Sequence, residues 1–293
     1  MKYPTSFQKA QNVPLLRGGL RFLTQVKQSV RRMRLRKRKE DLRRLSQLLD
    51  SDPIINLPIF EGRFHVDPRS DIFARIVLNN GYEPEHAQLC LNYLDSSRDA
   101  IDIGANVGFY TVLFSKNLRG RKVLAIEPTK NASDRLRKNL ALNNTQESTI
   151  HFEGVASEKN GSVLLNTIEG KEEFSSIGKM DHPSISNESF VEIETLSATL
   201  DSLVSKHKLI PGFIKVDVEG AEHLVFQGAQ SVLREHRPII FSEVSDYLLK
   251  RNGSSAKEVM ESISQNNYKI IDPFNPHVRP ENQDFTDILC LPE

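Results

Sequence analysis

The sequence predicts an α/β protein built on a doubly wound parallel sheet, and three observations carry that prediction. Ala100-Ile-Asp-Ile-Gly-Ala-Asn-Val-Gly108 reads as a buried strand that runs into a glycine turn and then a helix start at Phe109. Strand and helix patterns then alternate: strand 99–103, helix 107–117, strand 122–126, helix 130–142, strand 149–153. Each parallel connection needs a crossover, so alternation means a parallel sheet with helices on both faces. The last two strand patterns, near 268–272 and 286–291, are separated only by Pro273 to Asp284. That is too short for a crossover helix, so they are expected to form an antiparallel pair ending the sheet as a hairpin.

The other elements follow in order. Gly62-Arg-Phe-His-Val66 reads as a short strand, Asp71 to Leu78 as a helix turning at Asn80-Gly81, and residues 84–94 as a second helix leading into the glycine turn. Beyond the core repeat, 162–166 and 190–196 read as strands flanking a polar, serine- and glycine-rich segment from Glu169 to Glu188. A structureless insertion of that length is functional or disordered in most proteins, and a substrate-covering loop is the expectation here. Alternation resumes with strand Phe213-Ile-Lys-Val-Asp217, a helix from Ala221, strand Pro238 to Glu243 and a helix over 254–265.

With 293 residues the chain can form one sizeable α/β domain but not two. Its charge divides the chain. Residues 1–50 hold 14 Lys+Arg against 3 Asp+Glu, a net of +11, while the other 243 hold 25 against 35, a net of −10. We therefore read 1–50 as a basic N-terminal helical arm and 51–293 as the catalytic domain. Arg31-Arg-Met-Arg-Leu-Arg-Lys-Arg-Lys39 suits an anionic surface such as membrane lipid, acidic glycan or nucleic acid, or else is a solvated leader helix. Apolar residues at Leu20, Leu23, Val26, Val30 and Met33 favour a peripheral amphipathic helix. No stretch approaches the roughly 18 apolar residues of a membrane span, and Arg17 and Arg21 interrupt a signal-peptide core.

Two cysteines, Cys90 and Cys290, give neither a disulfide framework nor a CxxC site, so a reducing, cytoplasmic setting is expected. The eight histidines form no HxH or HxxxH pair, so spacing offers no metal site.

The glycine turn is the chemically informative part. Glycines permit positive φ and close approach of a ligand, and the first free N–H groups of the following helix face whatever is bound. The next strand, Lys122-Val-Leu-Ala-Ile126, ends in Glu127-Pro128, 23 positions after Gly104. An acid at that place can accept two hydrogen bonds from the vicinal hydroxyls of an adenosine ribose.

Asp102-x-Gly-Ala-Asn-x-Gly108, Glu127-Pro128, Thr199-Leu-Asp201 and Ile214-Lys-Val-Asp-Val-Glu-Gly220 together resemble the FkbM family of S-adenosylmethionine-dependent methyltransferases. Asn139-Leu-Ala-Leu-Asn143, Ser175-Ser176 and Glu243 add to the resemblance, which covers roughly residues 62–291 and leaves the arm outside. The resemblance implies a class I methyltransferase (Rossmann-like) sheet of seven strands, parallel apart from an antiparallel last strand. It also implies methyl transfer to a hydroxyl of a sugar, glycan or polyketide-like natural product.

With that cofactor in view, Gly104, Ala105, Asn106 and Gly108 would let the backbone approach its amino-acid and ribose portions. Asp102 would lie near the ammonium, directly or through water, and Glu127 would bind the ribose diol. Glu153 could accept from the adenine amine while Val155 packs on the ring, although Glu153 reads equally well as an exposed loop acid. Methyl transfer needs nucleophile, methyl carbon and sulfur nearly in line, and a carboxylate base adds typically about 10²–10⁴-fold. Asp217 is the first candidate for base or acceptor anchor, with Glu219 and Glu243 behind it. Glu222 reads as a favourable charge at a helix N-terminus and His223 as a surface residue of that helix.

Two other enzyme classes share parts of this pattern. A nicotinamide-dependent oxidoreductase uses a glycine turn and a ribose-binding acid, but its fingerprint is GxGxxG, and here Ala105 and Asn106 follow Gly104. A nucleic-acid methyltransferase could use the basic arm on phosphate. Enzymes methylating exocyclic amines commonly carry Asn/Asp-Pro-Pro-Tyr after the fourth strand, where this chain has Asp217-Val-Glu-Gly220. Oxygen is therefore favoured over base nitrogen as acceptor.

Overall fold

The computed structural model describes residues 52–167 and 191–293, with Lys37 alone from the arm. The rest of the arm and the serine-rich segment with Ser175 and Ser176 lie outside the described residues. Asp52–Glu293 is one compact unit.

That unit opens with a hairpin, β1 (Ile54–Leu57) against β2 (Gly62–His65), then α1 (Asp71–Asn79) and α2 (Pro84–Tyr93). The Ser70 hydroxyl accepts from Phe73 N–H at 3.1 Å and so caps α1, a bond worth about 1 kcal/mol. The core follows as β3 (Asp99–Ile103), α3 (Phe109–Asn117), β4 (Val123–Ile126), α4 (Lys130–Leu142) and β5 (Thr149–Phe152). A small side sheet is made by β6 (Val155–Ala156), β7 (Gly161–Thr167) and β8 (Val191–Ala198). Then come α5 (Leu200–His207), β9 (Pro211–Val216), α6 (Glu222–Gln227), β10 (Ile239–Ser245), α7 (Asp246–Arg251), α8 (Ala256–Ser264), β11 (Tyr268–Ile271) and β12 (Phe285–Pro292).

The main sheet has seven strands in the order β11-β12-β10-β9-β3-β4-β5. Strands β10, β9, β3, β4 and β5 pair in parallel, and β12 is antiparallel to both neighbours. The two last strands do pair antiparallel, but β12 inserts between β10 and β11, so β11 forms the edge. Strand pattern alone does not reveal such an insertion, because the hairpin could sit either way round against β10.

Alternation within the strands divides the core into two layers. Ile101, Ile103, Leu124, Ile126, Ile214, Val216 and Ile240 point to one side, with Leu203, Phe226 and Ile263 from the helices. Ala100, Val123, Ala125, Phe213, Phe241 and Leu289 point to the other, under Phe60, Phe64, Phe109 and Phe114. Each fully buried isoleucine or leucine contributes about 1.5–3 kcal/mol.

The second layer places the polar residues. Because side chains repeat every second position along a strand, Asp102 shares a face with Ala100, Lys215 and Asp217 with Phe213, Glu243 with Phe241, and Asp287 with Leu289. Register aligns them across the sheet: Asp102 is opposite Lys215, and Glu243 is opposite Asp287. Asp217 and Glu243 follow the last β9–β10 pair, Val216 with Ser242. One apolar face thus ends, at the carboxyl edge of the parallel strands, in a row of ionisable groups.

Candidate active site

The glycine turn forms where β3 leaves the sheet. Gly104 and Ala105 N–H both donate to Ile126 O at 3.0 Å, tying the turn to β4. Gly104 has φ +78°, and a Cβ there would collide with the carbonyl oxygen of Asp217, so no other residue fits without moving β9. Asn106 adopts φ +49°, a left-handed conformation that asparagine tolerates better than most residues. Gly108, at φ +91°, precedes α3.

Asn139 of α4 holds this turn from behind, and Asn143, the helix C-cap, ties the same helix end to β2. Buried Asn139 donates to Val107 O at 2.8 Å and to His65 O at 3.1 Å, and accepts from His65 N–H at 2.7 Å. Asn143, one helical turn on, makes the same two-way bond with Arg63, accepting from its N–H at 3.1 Å and donating to its O at 2.7 Å. The Asn139-x-x-x-Asn143 spacing matches one helix turn to the two-residue repeat of β2.

Glu127 is buried at the end of β4 and is interlocked with the turn. Its Oε2 accepts from Asn106 N–H at 2.9 Å, and its Oε1 accepts from Thr129 N–H at 2.9 Å and Thr129 Oγ1 at 2.6 Å. The carboxylate plane is therefore fixed before any ligand arrives. A ribose diol would add to these bonds or exchange with them.

Asp102 is buried, with Oδ2 accepting from Thr111 Oγ1 at 2.6 Å while Oδ1 has no hydrogen-bond partner. Burial raises its pKa above the usual carboxylate range, against the opposing pull of Lys215. Glu153, just past β5, is exposed and ion-paired with Arg137 of α4. Val155 is buried in β6, paired with Ser197 of β8. Asp102, Gly104, Ala105, Asn106, Gly108 and Glu127 thus form one continuous group, whereas Glu153 already holds a cation and Val155 is packed into the side sheet.

Lys215 is the residue that sequence reasoning passed over. It is 3% exposed, Nζ lies 3.2 Å from Asp217 Oδ2, and it sits over the Tyr110 ring at 4.7 Å. Burial disfavours its charge, but Asp217, Asp102, Glu243 and Glu83 outweigh burial and keep it protonated well above the ordinary lysine range. The signal was present: a lysine in an otherwise apolar strand, two residues before an aspartate on the same face.

Around this pair stand further groups from α1, α2 and β12. Glu83 accepts from Tyr110 OH at 3.0 Å and pairs with Arg75 at 2.5 Å. His86 Nε2 lies 3.2 Å from Asp287 Oδ2. The charge of Asp217, followed by burial, pushes Glu243 well above the ordinary carboxylate pKa. Glu219 lies in the turn after β9 with φ +50°. Asp217, 32% exposed, is more open than Glu83 at 10% or Asp287 at 15%.

Glu222 differs from the helix-end charge expected of it. It is buried, its Oε1 accepts from Gly220 N–H at 3.0 Å, and Oε2 is without a partner. Burial pushes its pKa up to about 7. His223 is not a plain surface residue either, since its Nδ1 is buried and unpartnered. Thr199 and Asp201 act structurally: Thr199 caps α5, and Asp201 accepts from Ser231 and Val232 N–H at 3.0 and 2.9 Å.

A seven-stranded sheet with β12 antiparallel, a glycine turn after β3 and an acid ending β4 define a class I methyltransferase. Residues 102–270 match the family described as the Methyltransferase FkbM domain, and the chain belongs to that family. Its cofactor is S-adenosylmethionine, and the preset Glu127, the glycine turn and the unpartnered Asp102 Oδ1 fit that group. Among solved structures the chain is similar to a methyltransferase FkbM from Methylobacillus flagellatus KT, at 20% identity and TM-score 0.45, covering 67% of this chain and 44% of that one. The chain therefore spans less than half of that protein's length. It is also similar to the O-methyltransferase from Bacillus cereus in complex with SAH, at 12% identity and TM-score 0.42, covering 86% and 99%. M. jannaschii TYW2 in complex with AdoMet gives 11% identity and TM-score 0.42 over 83% and 85%. No curated protein matches the sequence.

Proposed function

We propose that this protein methylates a hydroxyl oxygen of a sugar, glycan or natural-product acceptor, with Asp217 taking the hydroxyl proton. One observation carries the proposal: the Lys215–Asp217 pair lies against the glycine turn, where Asp217 N–H donates to Ile103 O at 3.0 Å. The carboxylate that is most open among Asp217, Glu83 and Asp287 is thereby next to the cofactor seat.

When bound, S-adenosylmethionine supplies a sulfonium methyl whose C–S bond breaks, its electron pair going to sulfur, as the acceptor oxygen forms the new O–C bond. Glu127 and the turn would hold the cofactor's diol end. Lys215 anchors Asp217 from below and orients its carboxylate towards the acceptor. Asp217 accepts the hydroxyl proton and returns it to solvent through its exposed side. Much of the acceleration comes from alignment, and the base contributes typically about 10²–10⁴-fold. Asp217→Asn keeps the shape but cannot take the proton. Turnover is expected to fall at least tenfold with cofactor affinity nearly intact, whereas equal losses in both would assign Asp217 to the cofactor.

The arm supports a second element of this proposal. Its net charge of +11 suits docking at an anionic surface that carries the acceptor, such as a membrane on which glycans are assembled. No helix among the described residues is long and apolar enough to cross a membrane. Removing residues 1–50 is expected to abolish binding to anionic liposomes and spare activity on a small soluble acceptor. Liposome binding that survives the deletion would contradict the assignment.

A further inference from the structure

Three side chains from three separate elements converge beside Asp217: His86 from α2, Glu243 from the end of β10 and Asp287 from β12. One ligand-type atom of each lies within 4.8 Å of the other two. His86 Nε2 and Asp287 Oδ2 are 3.2 Å apart, close to the roughly 3 Å between neighbouring ligands on one octahedral ion with bonds of about 2.1 Å. Two further observations point to something bound there. Asp287 Oδ1 is wholly buried without a hydrogen-bond partner. Glu243, the register partner of Asp287, is partly buried against the charge of Asp217.

Charge accounting leads the same way. Lys215 is matched by Asp217 at 3.2 Å and Arg75 by Glu83 at 2.5 Å. Glu243 and Asp287 then face one imidazole, with the Lys215 charge also acting on Glu243. Like charges on adjacent strands are destabilising, and a cation between these two register partners would relieve that repulsion. Phe241 and Phe274 flank the His86 ring, with centroids at 5.7 and 4.8 Å, and hold it in the cluster.

We propose that His86, Glu243 and Asp287 bind one octahedral divalent cation of the Mn²⁺ or Mg²⁺ type, which chelates two neighbouring oxygens of the methyl acceptor. One imidazole and two carboxylates suit such an ion and leave coordination positions open. The ion lowers the pKa of the hydroxyl it binds, and Asp217, beside it, receives the proton. The acceptor class is thereby narrowed to compounds with adjacent oxygens, such as the 1,2-diols of sugars. This deepens the proposed O-methylation and rests on it only for the role of the ion, not for its binding.

Binding is therefore tested apart from activity. Mn²⁺ is titrated into the full chain and followed by the loss of its free electron paramagnetic resonance signal, with S-adenosylhomocysteine binding measured in parallel. The wild type is expected to take up about one Mn²⁺ per chain. His86→Ala, Asp287→Asn and Glu243→Gln are each expected to weaken Mn²⁺ binding at least ~10-fold, the scale of disturbing a metal site, with S-adenosylhomocysteine affinity unchanged. A wild type that binds no Mn²⁺, or Mn²⁺ binding that survives all three substitutions, overturns the site. Failure of S-adenosylhomocysteine to bind the wild type would instead overturn the methyltransferase reading and leave the Mn²⁺ result to decide the ion.

Discussion

Lys215 and Asp217 are two positions apart on one strand end, on the same face of the sheet, and their side chains meet at 3.2 Å in a site where the lysine is all but closed to water. An unpaired ion in that position is costly, so each member depends on the other. Removing one partner of a buried pair costs about 3–5 kcal/mol. Lys215→Met is expected to lower unfolding stability by that amount, measured by urea denaturation, because Asp217 then loses its ion-pair partner and Asp102 and Glu243 lose the cation that faces them. A loss under about 1 kcal/mol, the scale of an exposed ion pair, would mean that the lysine is not needed to neutralise them.

Glu127 is held in place by Asn106 and Thr129, and the proposed reading gives it the cofactor's diol. Glu127→Ala is expected to weaken S-adenosylhomocysteine binding by about 1–3 kcal/mol in calorimetry, the range for losing hydrogen bonds to a charged group. Unchanged affinity would remove Glu127 from the site.

Two glycines with positive φ separate strain from collision. At Gly120, φ +66°, a Cβ meets nothing within 4 Å, whereas at Gly104 it collides with the Asp217 carbonyl. Gly120→Ala is expected to cost about 1–2 kcal/mol, the left-handed penalty alone. Gly104→Ala should cost clearly more and abolish cofactor binding, since β3 and β9 must separate to admit the methyl group. Equal melting temperatures for the two variants would contradict the close approach.

Glu222 should make stability depend on pH. Its folded pKa of about 7 lies above the ordinary 4.5, so the folded state holds the extra proton between those values. Its contribution is fully present below pH 4.5 and is lost as pH rises through 7, with a slope of at most about 1.4 kcal/mol per pH unit. Denaturation at pH 5 and pH 8 is expected to show Glu222→Gln gaining on the wild type at the higher pH. A pH-independent difference would show that Glu222 is ionised in the folded protein.

The glycine turn and the acid bonded to it were legible in the sequence because they are local: the turn from Gly104 to Gly108 is continuous, and Glu127 ends the very next strand. Asp217, Glu219 and Glu243 were singled out as well, but His86 and Asp287 were not, because they come from distant segments that only strand register and the insertion of β12 bring beside Glu243. Lys215 was legible in principle, as a charge inside an apolar strand, yet pattern reading scores such a strand as buried and passes over its one cation. Helix α5 was missed for a different reason: it is short, and its start was read as part of a motif rather than as the Thr199 cap. Burial changed the meaning of Glu222, which looks like a helix-end charge in sequence and is enclosed in the fold.

The most direct test of the account is the fate of the methyl group itself. The protein would be incubated with S-adenosylmethionine carrying a ¹³C methyl and with fractionated glycans and lipids, and the labelled product examined by NMR and mass spectrometry. The account predicts label on oxygen, next to a second oxygen in the acceptor, and its loss in Asp217→Asn. Label on nitrogen or carbon, or transfer that is indifferent to Asp217, would contradict it.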